Sequence, residues 1–183
     1  MIRDIKDDVK KVLYSEEQLA KRVKEMAEEI SKDYAGKDLL VVGILKGSVL
    51  FTSDLIKNIT IPCEIDFMAV SSYGNSAQTS GVVRILKDLD SDIENKHVLI
   101  VEDIVDTGTT LSYLLEYLKA RKAASIEIVA LLDKEARRIS NISAKYKGFD
   151  VPDEFIVGYG IDYAEKYRNL PFIGALKEEI YNK

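Results

Sequence analysis

The apolar residues near the beginning of the chain recur at helical spacing. Ser15, with Gln18 three positions later, forms a capping-box pattern that predicts the start of a helix. The buried face of this helix is predicted to consist of Leu19, Val23, Met26, Ala27, Ile30 and Tyr34. Gly36 follows the last of these positions and predicts the end of the helix.

Short apolar runs alternate with helical patterns through the middle of the chain. A run without polar alternation, such as Leu39–Leu45, is typical of a strand that is covered on both faces. The predicted strands are 39–45, 65–71, 82–86, 98–101 and 126–132. Two further helices are predicted, one that begins near residue 49 and one that covers 110–122. This alternation predicts an α/β fold with a mostly parallel sheet flanked by helices.

Two stretches depart from this rhythm. Residues 73–81 are polar, short-chained and glycine-bracketed, which predicts a mobile loop or an ordinary surface hairpin. Residues 152–176 contain only short apolar runs, at 155–157 and 172–176, and are expected to join the N-terminal segment in a small hood. We therefore expect a single domain over residues 1–183, with a core of about 37–150 and a hood formed by the N-terminal segment and about 151–183.

Composition narrows the class of protein. The 183 residues are 46% hydrophobic and 31% charged, which is ordinary for a globular chain, and the net charge of -5 argues against nucleic-acid binding. Cys63 is the one cysteine, so an internal disulfide is excluded and a reducing compartment is favoured. No apolar stretch approaches the roughly eighteen residues of a membrane span. The N-terminus shows no signal-peptide pattern, so we expect a cytoplasmic protein without membrane contact.

The segment 98–110 carries the candidate chemistry. A predicted strand ends in Glu102 and Asp103, and a short turn then supplies Asp106, Thr107, Gly108, Thr109 and Thr110 at a predicted helix start. Ligands bind at the carboxyl ends of parallel strands, and a helix N-terminus behind small residues presents free amides to a phosphate. The carboxylates would instead face sugar hydroxyls or a hard cation such as Mg²⁺. A ribose 5-phosphate satisfies both demands.

Each feature also has a structural interpretation. Asp106 could be only a helix N-cap, and the carboxylate pair only a solvated strand end. Neither the glycine-rich P-loop pattern nor the dinucleotide-binding glycine pattern occurs in the sequence.

The segment closely resembles the phosphoribosyl pyrophosphate motif of type I phosphoribosyltransferases. Four further stretches in the right order make the chain similar to the hypoxanthine-guanine branch of that family. They are Leu45-Lys46-Gly47-Ser48, Ser71-Ser72-Tyr73, Leu132-Asp133-Lys134, and the run from Val157 to Arg168. The resemblance extends over nearly the whole chain and implies the type I phosphoribosyltransferase fold.

The resemblance implies roles around the sugar and its phosphates. Glu102 and Asp103 would hold the ribose hydroxyls, directly or through Mg²⁺, and residues 107–110 would bind the 5-phosphate. Lys46, Gly47 and Arg168 would face the pyrophosphate, and in that family the peptide before this lysine can be cis. Asp106 would accept a proton from the purine or stabilise its developing charge. Without the resemblance, Lys46 would be a solvated loop lysine and Arg168 a surface partner of Glu165.

The resemblance also implies a base site and a lid. Lys134 would donate to the exocyclic oxygen of the purine, Phe155 would stack on its ring, and Ile156 would meet its edge through the backbone. Asp162 would lie near the 2-position or a second Mg²⁺. Taken alone, Phe155 would more commonly be a core residue and Asp162 a turn residue. Ser71, Ser72 and Tyr73 would open a flexible catalytic loop.

The activity that the resemblance implies is transfer of the phosphoribosyl group from phosphoribosyl pyrophosphate to hypoxanthine or guanine, which gives IMP or GMP and pyrophosphate. The implied partners are phosphoribosyl pyrophosphate, a 6-oxopurine base and the nucleotide product, and the family forms homodimers and homotetramers. One rival is a regulator that senses phosphoribosyl pyrophosphate and binds nucleic acid, which would need a basic face or an added segment. Another is a transferase for a different base, against which Lys134 and the segment 155–162 argue.

Overall fold

The computed structural model describes residues 4–72 and 83–182. The strands, in chain order, are Val9–Tyr14 (β1), Leu39–Leu45 (β2), Glu64–Ser72 (β3), Val83–Lys87 (β4), His97–Val105 (β5), Ser125–Asp133 (β6), Tyr146–Asp150 (β7), Ile156–Val157 (β8) and Ile173–Leu176 (β9). The α-helices are Glu16–Asp33 (α1), Val49–Asn58 (α2), Thr109–Lys119 (α3) and Glu178–Tyr181 (α4). No helix in these two ranges is long and apolar enough to cross a lipid bilayer.

A six-stranded sheet in the order β4-β3-β2-β5-β6-β7 forms the centre of the fold. All of its strand pairs are parallel except β3 with β4, which are antiparallel. The predicted α/β class with a mostly parallel sheet is therefore confirmed.

Both faces of the sheet are buried, as the unbroken apolar run of β2 predicts. Leu39 and Val41 pack with α1 and α2 on one face, whereas Leu40 and Val42 pack with α3 on the other. Successive side chains of a strand point to opposite faces, so a strand covered on both sides needs apolar residues at every position. Each fully buried Leu or Val contributes about 1.5–3 kcal/mol relative to exposure.

The first helix begins and packs as its sequence predicts. The Gln18 amide donates to Ser15 Oγ at 3.3 Å, and the Ser15 amide donates to Gln18 Oε1 at 2.8 Å, which completes the capping box. All six predicted apolar positions are buried. Gly36 follows the helix with φ of +74°, a conformation that glycine adopts without steric cost.

The two ends of the chain meet in a second sheet of three strands, in the order β1-β9-β8. Both of its pairings are antiparallel, and Val9 lies opposite Leu176. The N-terminal segment and the C-terminal stretch are thus joined by backbone pairing, and the division into a core and a hood stays a prediction.

Two aspects of the strands differ from the prediction. β5 continues to Val105, so Glu102 and Asp103 lie within the strand and not beyond its end. The reason is that pairing with β2 stops at Val101, whereas pairing with β6 continues to Val105. β1 and β7 were not predicted, because β1 carries consecutive lysines and β7 is a polar edge strand that contains Gly148. The proposed loop residues from Tyr73 to Gly81 lie outside the described residues.

Candidate active site

The carboxyl ends of the parallel strands bring most of the predicted site residues to one edge of the central sheet. β2, β3, β5 and β6 run in the same direction, so the segments at their carboxyl ends share that edge. These segments are Lys46–Gly47 after β2, Ser71–Ser72 at the end of β3, residues 106–110 after β5, and Lys134 after β6.

Glu102 and Asp103 are adjacent carboxylates near the end of β5. Both are partly exposed, yet protein surrounds them enough to raise the pKa of each carboxyl group, and the neighbouring Asp103 raises that of Glu102 further. Asp103 Oδ1 accepts the amide hydrogen of Ile104 at 2.8 Å. The Gly47 backbone packs directly against this side chain, since a Cβ built on residue 47 would lie 1.8 Å from Asp103 Oδ2. Two carboxylates of raised pKa at a site edge favour a bound cation.

The donor set fits Mg²⁺. Magnesium ions are commonly held by one or two carboxylates together with substrate phosphates and water. Within residues 4–72 and 83–182 no group of three or more His, Cys, Asp or Glu side chains is arranged to hold a metal. Asp162, the third predicted ligand, forms an ion pair of 2.9 Å with Arg168. Glu102 and Asp103 therefore supply two carboxylates, the number of protein ligands that such a magnesium site commonly has.

The segment 106–110, which we call the phosphate loop, joins β5 to α3. Gly108 is the N-cap of α3 with φ of +80°, so the alternative that Asp106 caps the helix is wrong. Thr107 Oγ1 and Thr109 Oγ1 lie 3.3 Å apart. A cavity of about 120 Å³ lies beside the loop and is lined by Glu102, Ile104, Val105, Asp106, Thr107, Gly108, Thr110 and Leu111.

The Asp106 carboxylate is incompletely paired. Its Oδ2 lies 3.5 Å from Arg137 Nη1, whereas its Oδ1 is buried and has no hydrogen-bond partner in the described part of the chain. A buried acceptor without a partner costs free energy, so such atoms concentrate where a ligand supplies the missing donor.

Lys46 and Arg168 approach each other through Glu165. Lys46 Nζ lies 2.9 Å from Glu165 Oε2, and Arg168 Nη2 lies 3.3 Å from Glu165 Oε1. Arg168 also donates to the Gly160 carbonyl at 2.8 Å. The predicted alternative for Arg168, an ion pair with Glu165, is thus present, and it occurs at the site edge beside Lys46.

The loop that carries Lys46 is tightly enclosed. The Leu45–Lys46 peptide is cis, as the family resemblance allowed. A Cβ on Gly160 would lie 2.0 Å from the Gly47 carbonyl oxygen, so the segment before Arg168 lies directly on this loop. The structure therefore brings together the two segments that were predicted to face the pyrophosphate.

Lys134 and the segment 153–156 lie beside each other. Lys134 is buried, and its Nζ donates to the Glu154 carbonyl at 2.8 Å and pairs with Asp153 Oδ1 at 3.1 Å. Phe155 is 49% exposed, so the alternative that it is a core residue is wrong. Ile156 is buried in β8.

Three contacts at the site come from residues that sequence reasoning missed. Arg137 pairs with Asp106, Arg138 donates to the carbonyls of Val105 and Asp106, and the centroid of the Tyr181 ring lies 4.2 Å from that of Phe155. Each pair is separated by more than 25 positions, so no local pattern indicates it. The one available signal for Arg137 and Arg138 was that they lie three and four positions after Lys134.

The family described as phosphoribosyl transferase domain matches residues 10–164 of this chain. The chain belongs to the phosphoribosyltransferase family. This phosphoribosyltransferase is 53% identical over 179 residues to the hypoxanthine-guanine phosphoribosyltransferase of Streptococcus thermophilus, with 98% of this chain and 99% of that protein covered. It is 54% identical over 177 residues to the enzyme of the same name from Bacillus subtilis, with 97% and 98% covered.

A solved structure gives the same assignment. The crystal structure of a hypoxanthine phosphoribosyltransferase from Staphylococcus aureus matches with a TM-score of 0.96 and 55% identity, and both chains are covered completely. The phosphoribosyltransferase resemblance drawn from the sequence motifs is thereby confirmed.

Proposed function

We propose that this phosphoribosyltransferase acts in purine salvage. It transfers the phosphoribosyl group of phosphoribosyl pyrophosphate to hypoxanthine or guanine and forms IMP or GMP and pyrophosphate. The observation that carries this proposal is the 53–55% identity, over nearly the full length of both chains, to proteins that bear these substrates in their names. The gathering of the motif segments at one sheet edge supports it.

Glu102 and Asp103 hold the ribose hydroxyls, directly or through Mg²⁺, and the amides and hydroxyls of residues 107–110 bind the 5-phosphate. When bound, Mg²⁺ supplies positive charge to the pyrophosphate oxygens. Asp162 lies near the 2-position of the base or at a second Mg²⁺. Enclosure by protein, and for Glu102 also the charge of Asp103, raise the pKa of these carboxyl groups; this supports the assignment, since a bound cation stabilises the ionised pair.

Lys46, the Gly47 backbone and Arg168 face the departing pyrophosphate. The bond from C1 of the ribose to the pyrophosphate breaks while positive charge grows on the sugar ring, so preorganised cations stabilise the leaving group. In the free protein Glu165 pairs with both cations, and Asp162 pairs with Arg168 as well. The Lys46–Glu165 pair is exposed, and such pairs contribute only about 0–1 kcal/mol, so Lys46 can exchange Glu165 for pyrophosphate at little cost.

Asp106 accepts a proton from the purine or stabilises its developing charge. The unpaired, buried Oδ1 supports either role, because it is an acceptor that awaits a donor. Ser71, Ser72 and Tyr73 open a loop that closes over the site and excludes water, which would otherwise compete for the sugar cation.

Lys134 selects the base. An ammonium group has three N–H donors, and two of them are directed at Glu154 and Asp153, which leaves one for the exocyclic oxygen of a 6-oxopurine. Phe155 stacks on the purine ring, and the Ile156 backbone meets its edge. The half-exposed ring of Phe155 is available for such a contact.

The wider setting is part of the same proposal. We propose a Mg²⁺-dependent cytoplasmic enzyme that forms a homodimer or homotetramer and contacts neither membrane nor nucleic acid.

The test of the proposed reaction is release of pyrophosphate after addition of hypoxanthine or guanine to the protein with Mg²⁺ and phosphoribosyl pyrophosphate. No release with either base would contradict the proposed function.

A further inference from the structure

The backbone carbonyls at the end of β5 and in the phosphate loop accept hydrogen bonds from a segment that follows β6. Arg138 Nη2 donates to the Val105 carbonyl at 3.2 Å, and Arg138 Nε donates to the Asp106 carbonyl at 3.0 Å. The Thr107 carbonyl accepts from the amides of Ile139 and Ser140, at 3.1 and 3.2 Å, and from Ser140 Oγ at 3.0 Å. Three successive carbonyls are thus bound by residues 138–140, which we call the bracing segment.

These bonds fix the direction of the loop amides. In a planar trans peptide the carbonyl and the following N–H point in opposite directions. With the carbonyls of residues 105–107 turned toward the bracing segment, the N–H groups of Asp106, Thr107 and Gly108 point away from it. Successive N–H groups on one side of a loop form a concave site for an anion.

Arg138 is itself held in place. Its Nη2 also pairs with Asp133 Oδ1, its Nη1 donates to the Ile142 carbonyl at 2.6 Å, and its side chain is only 13% exposed. Because Asp133 balances the guanidinium charge, the pair exerts little net electrostatic field on the phosphate loop. Arg138 therefore acts on the loop chiefly through the geometry of its planar fork of hydrogen-bond donors. Lysine cannot reproduce that fork.

The loop and the bracing segment are in direct contact. A Cβ on Gly108 would lie 2.1 Å from Ser140 Oγ and 3.3 Å from Arg138 Cδ. No space remains for the loop to shift toward the segment, so the position of the loop amides depends on residues 138–140.

We propose that Arg138, assisted by Ser140, is a positioning residue for recognition of the 5-phosphate. It does not touch the substrate but orients the amides of the phosphate loop and the backbone of Asp106. This inference rests on the proposed function, because it assigns a determinant of 5-phosphate affinity within the same site.

The test compares binding of IMP with binding of inosine, which lacks the phosphate, by titration calorimetry. The Arg138→Lys variant keeps the charge beside Asp133 but loses the fork. We expect the ratio of inosine to IMP dissociation constants to fall about 10- to 100-fold, in line with the cost of misplacing a binding group by about 1 Å. The Michaelis constant for hypoxanthine should change less than that for phosphoribosyl pyrophosphate.

A matched control is Arg121→Lys. Arg121 is also partly buried and also joins a carboxylate, Asp88 at 3.0 Å, to a backbone carbonyl, that of Ser91 at 3.4 Å, but it lies away from the phosphate loop. This variant should keep the wild-type ratio. A general loss of packing would weaken IMP and inosine binding equally and leave the ratio unchanged.

Ser140→Ala provides a second, milder variant if Arg138→Lys does not fold. It removes one donor to the Thr107 carbonyl and should lower the ratio in the same direction by a smaller factor. If wild-type protein prefers IMP but the folded variants keep the same ratio of inosine to IMP dissociation constants, the role of the bracing segment is overturned and the proposed function is not. Wild-type protein that binds neither ligand overturns the proposed function and this inference with it.

Discussion

Gly47 and Asp103 are in direct contact: a Cβ added to residue 47 would lie 1.8 Å from Asp103 Oδ2. Gly47 follows β2, whereas Asp103 lies in β5, which pairs with β2 in the central sheet. The contact joins the loop that faces the pyrophosphate to the carboxylate pair that we propose binds Mg²⁺. A side chain at position 47 would therefore displace the Asp103 carboxylate or the loop itself.

Gly47→Ala should therefore lower phosphoribosyl transfer strongly. The added methyl group displaces either the Lys46 loop or the Asp103 carboxylate, and a displacement of about 1 Å in a site can cost roughly 10²-fold in rate. The measurement is the transfer rate per folded molecule. Gly36→Ala is the control, since a Cβ at Gly36 meets no atom within 4 Å, although its φ of +74° makes the variant somewhat less stable.

Glu102→Gln should stabilise the protein while it lowers activity. Protein enclosure and the charge of Asp103 raise the pKa of Glu102, so its ionised form disfavours folding at neutral pH. Removal of that charge should raise the melting temperature by about 2–4 °C for each kcal/mol recovered in a chain of this size. The measurement is thermal unfolding in chelator, with Glu116→Gln on the exposed face of α3 as the control.

The sign of the pH dependence follows from the same shift. A carboxyl group whose pKa is raised on folding takes up a proton more readily in the folded state, so stability from this group increases as the pH falls through the raised pKa. The gap in melting temperature between Glu102→Gln and wild type should therefore narrow on acidification. A gap that widens, or a variant less stable than wild type at neutral pH, contradicts the assignment.

The sequence predicts five of the six strands of the central sheet, because the apolar pattern of each lies within a short stretch of chain. β2 has an unbroken apolar run, and α1 has both a capping box and an apolar face, so each of them is evident without knowledge of its neighbours. The end of β5 is different. Its last residues are strand only because β6 continues beside them after β2 has stopped pairing.

The candidate site likewise has parts that a short stretch of sequence indicates and parts that depend on distant segments. The motif segments were evident from the sequence, and the topology brings them to one edge of the sheet. The contacts of Arg138 with the carbonyls of Val105 and Asp106, and of Tyr181 with Phe155, depend on how distant segments pack. No short-range pattern carries that information.

Asp106→Asn should reduce turnover far more than it changes either Michaelis constant. A positioned acid-base group contributes about 10²–10⁴-fold in rate, and Asn provides no carboxylate to accept a proton. The α3 helix should be unaffected, because Gly108 is its N-cap. Steady-state kinetics and thermal unfolding together decide the matter: a lowered melting temperature with normal turnover per folded molecule would make Asp106 a structural residue.

Lys134→Gln should weaken the discrimination between 6-oxopurines and adenine. Adenine has an amino group at the position of the exocyclic oxygen, so a lysine there leaves two donors face to face, and such mismatches cost on the order of 10⁴-fold. A glutamine amide offers either a donor or an acceptor. The measurement is kcat/KM for hypoxanthine and for adenine in both proteins; an unchanged ratio would remove Lys134 as the discriminating residue.

The most direct test of the account is chromatographic identification of the nucleotide formed from phosphoribosyl pyrophosphate and each of five nucleobases, with Mg²⁺ and with chelator. Mg²⁺ matters in this comparison because Glu102 and Asp103 are proposed to act through it. We predict IMP from hypoxanthine and GMP from guanine, almost no product from adenine, cytosine or uracil, and none in chelator. Equal product from adenine and hypoxanthine, or full activity in chelator, would contradict the account.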